Sequence, residues 1–261
     1  METSFIFRRA IQALLPATLL LAACSKSDAP APAPADTGSI LFVNAAASTF
    51  VSIKAFINSD EKATLAYGAN NGGTTPSYQS VPTGTPTVKI DNAAASTNFF
   101  SQGITVTKDQ KYSYFVYSNS SDINVAPAGL LVPDDLVAPS TGKAKIRLVH
   151  LGFGFPNPAA AISLSQSQPI GFLPITSAVS FLGATSFVEI NAGPINLLVT
   201  TGTSPTGTTV ATVGDGTTGT GTTGTGTKNF EAGKIYTIVV RGVAGNPDPT
   251  RLPKAFIIQN N

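Results

Sequence analysis

The sequence is poor in charge, and this scarcity excludes one large class of function. Asp, Glu, Lys and Arg make up 11% of the residues, and Lys plus Arg number 16 against 14 for Asp plus Glu. A protein that binds nucleic acid needs a dense basic patch for the phosphates, and none is visible here. We therefore expect no nucleic-acid partner. Because 42% of the residues are hydrophobic, we also expect the chain as a whole to fold.

Residues of the kinds that catalyse reactions or bind metals are few. There is one cysteine, Cys24, and one histidine, His150. Zinc binding by this chain alone would need more such ligands, and a hydrolytic triad needs a nucleophile, a base and an acid together. His150 ends the predicted strand KIRLVH, a position typical of a structural or surface residue. We expect no catalytic residue, no metal site and no cofactor.

The carboxylates do not form a recognisable site either. Asp134 and Asp135 are adjacent in LVPDDLVAP, and successive side chains of an extended chain point to opposite sides, so they converge poorly on one glycosidic bond. We interpret them as a turn between two domains, and Asp60 and Glu61 in NSDEKAT as a polar loop with solvated charges. Asp215 stands alone in GDGTTG, whereas glycine-rich calcium repeats need recurrent aspartates. That tract is interpreted as a flexible loop or disordered insertion.

Tryptophan is absent, which removes the best side chain for stacking on sugar rings. The predicted strand YSYFVY nonetheless carries Tyr112, Tyr114, Phe115 and Tyr117. The period of a strand places Tyr112 and Tyr114 on one face and Phe115 and Tyr117 on the other. We interpret these residues as core packing with a few tyrosines at the sheet edge. A glycan-binding platform is the alternative.

The N-terminus lacks an apolar run long enough to span a bilayer. Ala10 to Ala23 is 14 residues long and follows Arg8 and Arg9, whereas a transmembrane helix needs about 20 residues. The pattern predicts a signal peptide over residues 1–23. Twin-arginine export is an alternative, but the residues around the arginine pair do not favour it.

The end of this segment, Leu21-Ala22-Ala23-Cys24, resembles a bacterial lipobox. We expect cleavage between Ala23 and Cys24, and lipidation of Cys24 as the mature N-terminus. The alternative is an ordinary signal sequence with an unmodified cysteine. With Cys24 acylated, no thiol is left for a disulfide. Ser25 follows the cysteine, where an aspartate would indicate retention in the inner membrane. We therefore expect an outer-membrane lipoprotein, at the periplasmic or the cell-surface face, with the membrane as its first partner.

Residues 24–38 contain SKSDAPAPAPADTG and predict a disordered tether. The alternation of Ala and Pro from Ala29 to Ala35 favours the extended polyproline II conformation. At about 3.1 Å per residue, such a tether would hold the first domain up to about 40 Å from the membrane.

From Ser39 onwards, β-branched and aromatic runs alternate with turns rich in Gly, Pro and Asn, which predicts an all-β fold. No later window has a sustained helical period. The predicted strands are Ile40–Val43, Phe50–Phe56, Thr87–Ile90, Tyr112–Tyr117, Lys145–His150, Ser186–Ile190, Ile195–Val199, Ile235–Val240 and Ala255–Ile258.

The two halves of the chain match each other. Residues 77–90 align without gaps on residues 186–199, and the glycines Gly84 and Gly193 fall at the same place in a strand–turn–strand pattern. Downstream, Lys111 aligns with Lys234, which raises the offset from 109 to 123 residues. The difference of 14 equals the length of the Gly/Thr tract 214–227, which we interpret as an insertion in a hairpin-like loop of the second copy. The pattern predicts an internal duplication.

The predicted domains are two tandem β-sandwiches of the immunoglobulin-like or transthyretin-like kind, over residues 39–138 and 141–261. LAYG (Leu65 to Gly68), YQSVPTGTPTVKI, KIRLVH, INAGPINLLV and FEAGKIYTIVVRG resemble the domain-of-unknown-function 4397 family. This resemblance implies an envelope or secreted bacterial protein with tandem sandwiches, and it implies no established activity. The turn LGFGFPNPAA departs from the family pattern after the first strand.

Together these features predict a membrane-anchored envelope lipoprotein that is not an enzyme and that serves binding, adhesion or scaffolding. Envelope proteins or glycans are the further expected partners. The alternative is a glycan-binding or accessory subunit of an envelope hydrolase that acts on glycan or peptide.

Overall fold

The computed structural model describes residues 35–156, 159–203, 205–214 and 227–261. The predicted signal peptide, Ala23, Cys24 and most of the tether lie outside these ranges, as does most of the Gly/Thr tract with Asp215. Within them the chain is all-β, as the sequence predicts. No helix in these ranges is long and apolar enough to cross a membrane. Residues 35–261 form one compact unit.

The first β-sandwich has eight strands, in two sheets of order β4-β1-β7-β8 and β3-β2-β5-β6. Strands β1 and β7 run parallel, whereas the other neighbours are antiparallel. The strands are β1 (Thr37–Ala45), β2 (Ile53–Ile57), β3 (Asp60–Leu65), β4 (Gln79–Pro82), β5 (Thr87–Asn92), β6 (Asn98–Gly103), β7 (Lys111–Tyr117) and β8 (Ala128–Asp134).

The second β-sandwich repeats this topology in sheets of order β12-β9-β16-β17 and β11-β10-β13-β14, with β15 also paired to β13. Here β9 and β16 form the parallel pair. The strands are β9 (Lys143–Phe153), β10 (Ile162–Ser167), β11 (Phe172–Pro174), β12 (Val188–Asn191), β13 (Gly193–Thr201), β14 (Thr209–Thr212), β15 (Thr227–Phe230), β16 (Ile235–Val243) and β17 (Lys254–Gln259).

We call β4-β1-β7-β8 and β12-β9-β16-β17 the inner sheets, and the other two the outer sheets. Each sandwich has its own apolar core between its inner and its outer sheet, because side chains alternate between the two faces of a strand. The first core includes Ile40, Phe42, Ile53, Val88, Ile90, Tyr112 and Tyr114. The second core includes Ile146, Leu148, Leu164, Leu197, Val199, Tyr236 and Ile238.

Each predicted strand overlaps an observed one, and the predicted strand–turn–strand pattern over residues 77–90 also covers β4. The sequence missed β3, β6, β8, β10, β11, β14 and β15. All of these except β10 are edge strands, where one side of the strand meets water and polar residues replace the apolar run. The expectation of a loop at NSDEKAT is therefore wrong. Asp60 and Glu61 begin β3, and both side chains are exposed.

Shared strand order confirms the predicted duplication. Gly84 and Gly193 close equivalent turns with φ of 94° and 122°, a region of φ that favours glycine. The downstream alignment needs a correction of one residue. Ile40 pairs with Tyr112, and Ile146 pairs with Tyr236, so the equivalent of Tyr112 is Tyr236 and the offset is 124 residues.

The position of the Gly/Thr tract also differs from the prediction. The strands on its two sides, β14 and β15, both pair with β13, over successive stretches of that strand. The insertion therefore interrupts an edge strand and does not lengthen a hairpin loop. Residues 215–226 of the tract lie outside the described ranges.

Candidate functional site

The outward faces of the two inner sheets pack against each other and form a third apolar core, which we call the seam. Both faces of each inner sheet are thus covered, which is why its central strands are apolar in nearly continuous runs. The first sandwich supplies Leu41, Val43, Ala45, Phe115, Tyr117 and Val132, and the second supplies Val149, Leu151, Val239, Phe256 and Ile258.

The four aromatic residues of β7 are divided between the first core and the seam. Tyr112 and Tyr114 point into the first core, and Phe115 and Tyr117 point into the seam, as the alternation predicts. However, β7 is a central strand, and these side chains are buried. The expected tyrosines at the sheet edge are not found, and this strand presents no aromatic platform to a glycan.

A buried ion pair crosses the seam at the end where β1 begins. Arg147 of β9 donates through Nη2 to Oδ1 of Asp134 at the end of β8. The side chains are 1% and 0% exposed. Two charges taken out of water are costly unless hydrogen bonds satisfy their remaining groups, and the surrounding residues do this.

Each sandwich contributes partners to the pair. Arg147 Nε donates to Oγ1 of Thr237 at 2.9 Å, and Nη1 donates to the carbonyl of Pro133 at 2.8 Å. The carboxylate of Asp134 accepts hydrogen bonds from the hydroxyls of Ser113 at 2.8 Å and Tyr78 at 2.6 Å. The network thus fixes both charged groups in one geometry.

The network continues to Asn260 beyond β17. Its Nδ2 donates to the Tyr78 hydroxyl at 3.1 Å, and its Oδ1 accepts from Thr237 at 2.7 Å. Burial raises the pKa of Tyr78, and the adjacent charge of Asp134 raises it further. Tyr78 therefore acts as a neutral hydrogen-bond donor at neutral pH.

Two arginines of the second sandwich contact aromatic rings of the first at the opposite end of the seam. The Arg241 guanidinium lies 4.0 Å from the ring centroid of Tyr67, and that of Arg251 lies 4.8 Å from the centroid of Phe50. Arg251 Nη1 also donates to the carbonyl of Ser48 at 3.2 Å. Such cation–π contacts strengthen when water is excluded, so the seam is held at both ends.

A cavity of about 430 Å³ adjoins the ion pair. Arg147, Asp134, Asp135 and Phe187 contribute to its lining, and the Arg147 guanidinium lies 4.5 Å from the centre of the Phe187 ring. The two aspartates do not converge, because Asp134 is buried whereas Asp135 is exposed. The carboxylate of Asp134 is bound to Arg147.

His150 lies inside β9 and is 1% exposed, so it neither ends the strand nor lies at the surface. Burial lowers its pKa to about 4, against a smaller opposing effect of the Phe155 backbone. Nδ1 accepts a hydrogen bond from the Gly152 N–H at 3.3 Å. In the first sandwich Asn44 has the same place, and its Oδ1 accepts from the Ala46 N–H. His150 therefore takes the structural position of an asparagine that supports a turn.

In the described part of the chain, no group of three or more His, Cys, Asp and Glu side chains is placed to hold a metal ion. Glu61 lies 3.4 Å from Lys54 and Asp60 lies 3.9 Å from Lys62, and neither carboxylate takes part in the seam network. Cys24 lies outside the described residues, so its predicted lipidation stays a prediction.

Sequence reasoning missed the importance of Arg147. The feature of the sequence that indicates this importance is a single cation between Ile146 and Leu148 in the strand KIRLVH. A charge at that place in an apolar strand requires a partner when both faces of the sheet are covered. The sequence does not name the partner, because Asp134 lies in LVPDDLVAP, which predicts a turn.

Comparisons with known proteins add a family but no activity. Residues 38–157 match the family described as a domain of unknown function, DUF4397. None of the curated proteins matches the chain. The match covers the first sandwich and β9. Strands β10 to β17 lie outside the match. Their relation to the first sandwich rests on the strand order that the two sandwiches share.

Two solved structures show slight similarity. One is a carbohydrate-binding module of family CBM26 from Eubacterium rectale Amy13K, in complex with maltoheptaose, with 10% identity over 86% of this chain and 97% of that chain. The other is a leucine-rich repeat protein from Bacteroides thetaiotaomicron, with 12% identity over 78% of this chain and 26% of that chain. Their TM-scores, 0.20 and 0.18, are too low to support an argument about fold or ligand.

The assignment thus rests on the family match together with the tandem sandwiches that the sequence predicts and the structure has. Residues 38–157 of this chain match the model of the DUF4397 family of domains of unknown function, which supports the assignment of this part of the chain to that family.

Proposed function

We propose that this chain is a lipoprotein anchored by Cys24 in a bacterial outer membrane, and that its two sandwiches form a non-enzymatic module for binding, adhesion or scaffolding at the cell envelope. The lipobox Leu21-Ala22-Ala23-Cys24 and the Ala/Pro tether support the anchor. The match of residues 38–157 to DUF4397 is compatible with a binding role.

The main support for a non-enzymatic role is that Asp134 and His150, the best candidates for catalytic groups, have structural roles. Asp134 is bound by Arg147, Ser113 and Tyr78. His150 is buried, with a pKa lowered to about 4 by that burial. A general base must reach its substrate, and both side chains are buried.

The path of the chain favours one end of the sandwiches for presentation to a partner. The tether enters at Thr37, and β7 runs parallel to β1, so the loop after Tyr117 lies at the opposite end. In that loop Ile123 and Val125 are 60% and 38% exposed. A lipid attached at Cys24 would leave this end free to meet envelope partners.

Mass spectrometry of the protein purified from bacterial membranes tests the anchor. We expect an acylated chain that begins at Cys24, and we expect the Cys24→Ala variant to lose the acyl mass and the membrane association. A mature native chain without acyl mass would contradict the proposal. An Asp28→Ala variant, changed in the tether only, is the matched control and should be acylated normally.

The absence of catalysis is tested separately with the soluble Cys24→Ala protein. We expect no turnover of polysaccharides or peptides. Turnover that the His150→Asn substitution abolishes, in a variant that keeps the native circular dichroism spectrum, would contradict the proposal. Specific retention on a glycan array would instead favour the glycan-binding alternative.

A further inference from the structure

The two sandwiches face each other across the seam with approximate two-fold symmetry. Tyr117 and Arg241 are equivalent residues of β7 and β16, since Tyr117 pairs with Ala45 and Arg241 with the equivalent Leu151. Phe181 is likewise the equivalent of Tyr67. Tyr117 of the first sandwich contacts Phe181 of the second, with ring centroids 6.0 Å apart.

The reciprocal contact is also present, because Arg241 of the second sandwich lies over Tyr67 of the first. A contact that recurs with the roles of the two sandwiches exchanged is the mark of an isologous, self-complementary interface. The backbone supports the equivalence. The Asn44 N–H donates to the Ala69 carbonyl as the His150 N–H donates to that of Gly183, both at 2.9 Å.

A self-complementary seam would allow a first sandwich to pair with the first sandwich of another chain. The ion pair breaks the symmetry at this point. The residue pairings in the two inner sheets show that Leu41 is equivalent to Arg147 and that Asn260 is equivalent to Asp134. The cation belongs to one copy and the anion to the other.

The consequences for pairing follow from the cost of an isolated buried charge. Two first sandwiches would place Asp134 against Leu41, and a buried carboxylate without a cation is strongly unfavourable. Two second sandwiches would place Arg147 against Asn260, where no carboxylate is present. Only a first sandwich against a second one brings the two charges together.

We propose that the Asp134–Arg147 pair determines the pairing of sandwiches, so that this face accepts the opposite kind of sandwich and rejects its own kind. Within one chain the two sandwiches are joined by residues 135–142, and this short link favours pairing in the same chain by its high effective concentration. The same rule governs any contact between copies. Chains can meet at this face only by exchanging sandwiches.

Charge reversal in full-length, soluble Cys24→Ala protein tests the rule. One variant carries Asp134→Lys, the other carries Arg147→Glu, and each alone places like charges across the seam. When the two are unfolded together and refolded as an equimolar mixture, exchange of sandwiches restores an opposite-charge pair at both seams. We expect a discrete species of twice the chain mass in the mixture, measured by sedimentation and native mass spectrometry. Each variant refolded alone should not form it.

The matched control carries Asp134→Lys and Arg147→Glu in one chain, and we expect a folded monomer because the reversed pair forms internally. The proposal is overturned if the mixture forms no two-chain species, or if either single variant forms one as readily as the mixture does. A second set, Asp134→Arg with Arg147→Asp, is used if the control does not fold. If both control chains fail to fold, opposite charges do not suffice for pairing and the proposal is also overturned.

Discussion

Leu41 and Arg147 occupy the same position in the two copies of one fold, yet one contacts the seam as an aliphatic side chain and the other as a buried cation. The same holds for Asn260 and Asp134 at the partner position. The two copies thus carry complementary charges, each at a position where the equivalent residue of the other copy is neutral. Substitutions at the seam and at its neighbouring turns test this packing and the residues that hold it.

Removal of one member of the ion pair should be more harmful than removal of both. Arg147→Leu leaves the carboxylate of Asp134 buried without its cation, and we expect a loss of about 3–5 kcal/mol in the free energy of unfolding. Asp134→Asn combined with Arg147→Leu should lose clearly less. Urea unfolding of the two variants measures the difference. An equal loss in both would show that the charges are not coupled.

The arginine–aromatic contact at the other end of the seam should contribute less than the ion pair. Tyr67→Leu keeps an apolar side chain but removes the ring under Arg241, and we expect a loss of about 2 kcal/mol because the contact is desolvated. The matched control is Phe56→Leu, which removes a ring 4.0 Å from the Lys89 ammonium. That contact lies in an outer sheet, and we expect a loss nearer to about 1 kcal/mol. Urea unfolding of both variants measures the two losses, and a larger loss in Phe56→Leu would contradict the prediction.

His150 should make stability dependent on pH below neutrality. Its pKa is near 6.5 when unfolded and about 4 when folded, because burial disfavours the charged form. Between these values the unfolded state binds the additional proton, so the stability contributed by this residue is complete above pH 6.5 and falls as the pH is lowered towards 4. Carboxylates also titrate as the pH is lowered.

The His150→Asn variant separates this effect from the other titrations, because Asn44 fills the equivalent place. We expect the native protein to lose more stability than the variant between about pH 7 and about pH 4.5, as measured by urea unfolding. Parallel losses in the two proteins would contradict a depressed pKa of His150.

The two equivalent turns should respond alike to the loss of glycine. Gly84 and Gly193 have positive φ and open space where a Cβ atom would lie, so alanine would meet backbone strain but no clash. We expect Gly84→Ala and Gly193→Ala each to lower the melting temperature, by the equivalent of about 1–2 kcal/mol. Gly103→Ala is the control, since that position has open space and no positive φ, and it should change little.

The sequence alone determined the all-β class and the duplication, because these depend on patterns along the chain. The lipobox is also a sequence pattern, and it stays a prediction. The alternation in YSYFVY placed Tyr114 and Phe115 on opposite faces, and the structure confirms it. The glycines Gly84 and Gly193 predicted the equivalent turns, because their backbone conformation favours glycine wherever the chain goes afterwards.

Tertiary structure alone decided what the second face of each inner sheet contacts. Asp134 and Arg147 lie 13 residues apart, on opposite sides of the link between the sandwiches, and no local pattern joins them. The alternation of side chains along a strand shows which residues face away from the core of their own sandwich. It does not show whether water or a second sandwich covers that face. Asp134, which the sequence predicts in a turn, is a buried ion because one copy packs on the other. Only the seam excludes water from both Asp134 and Arg147.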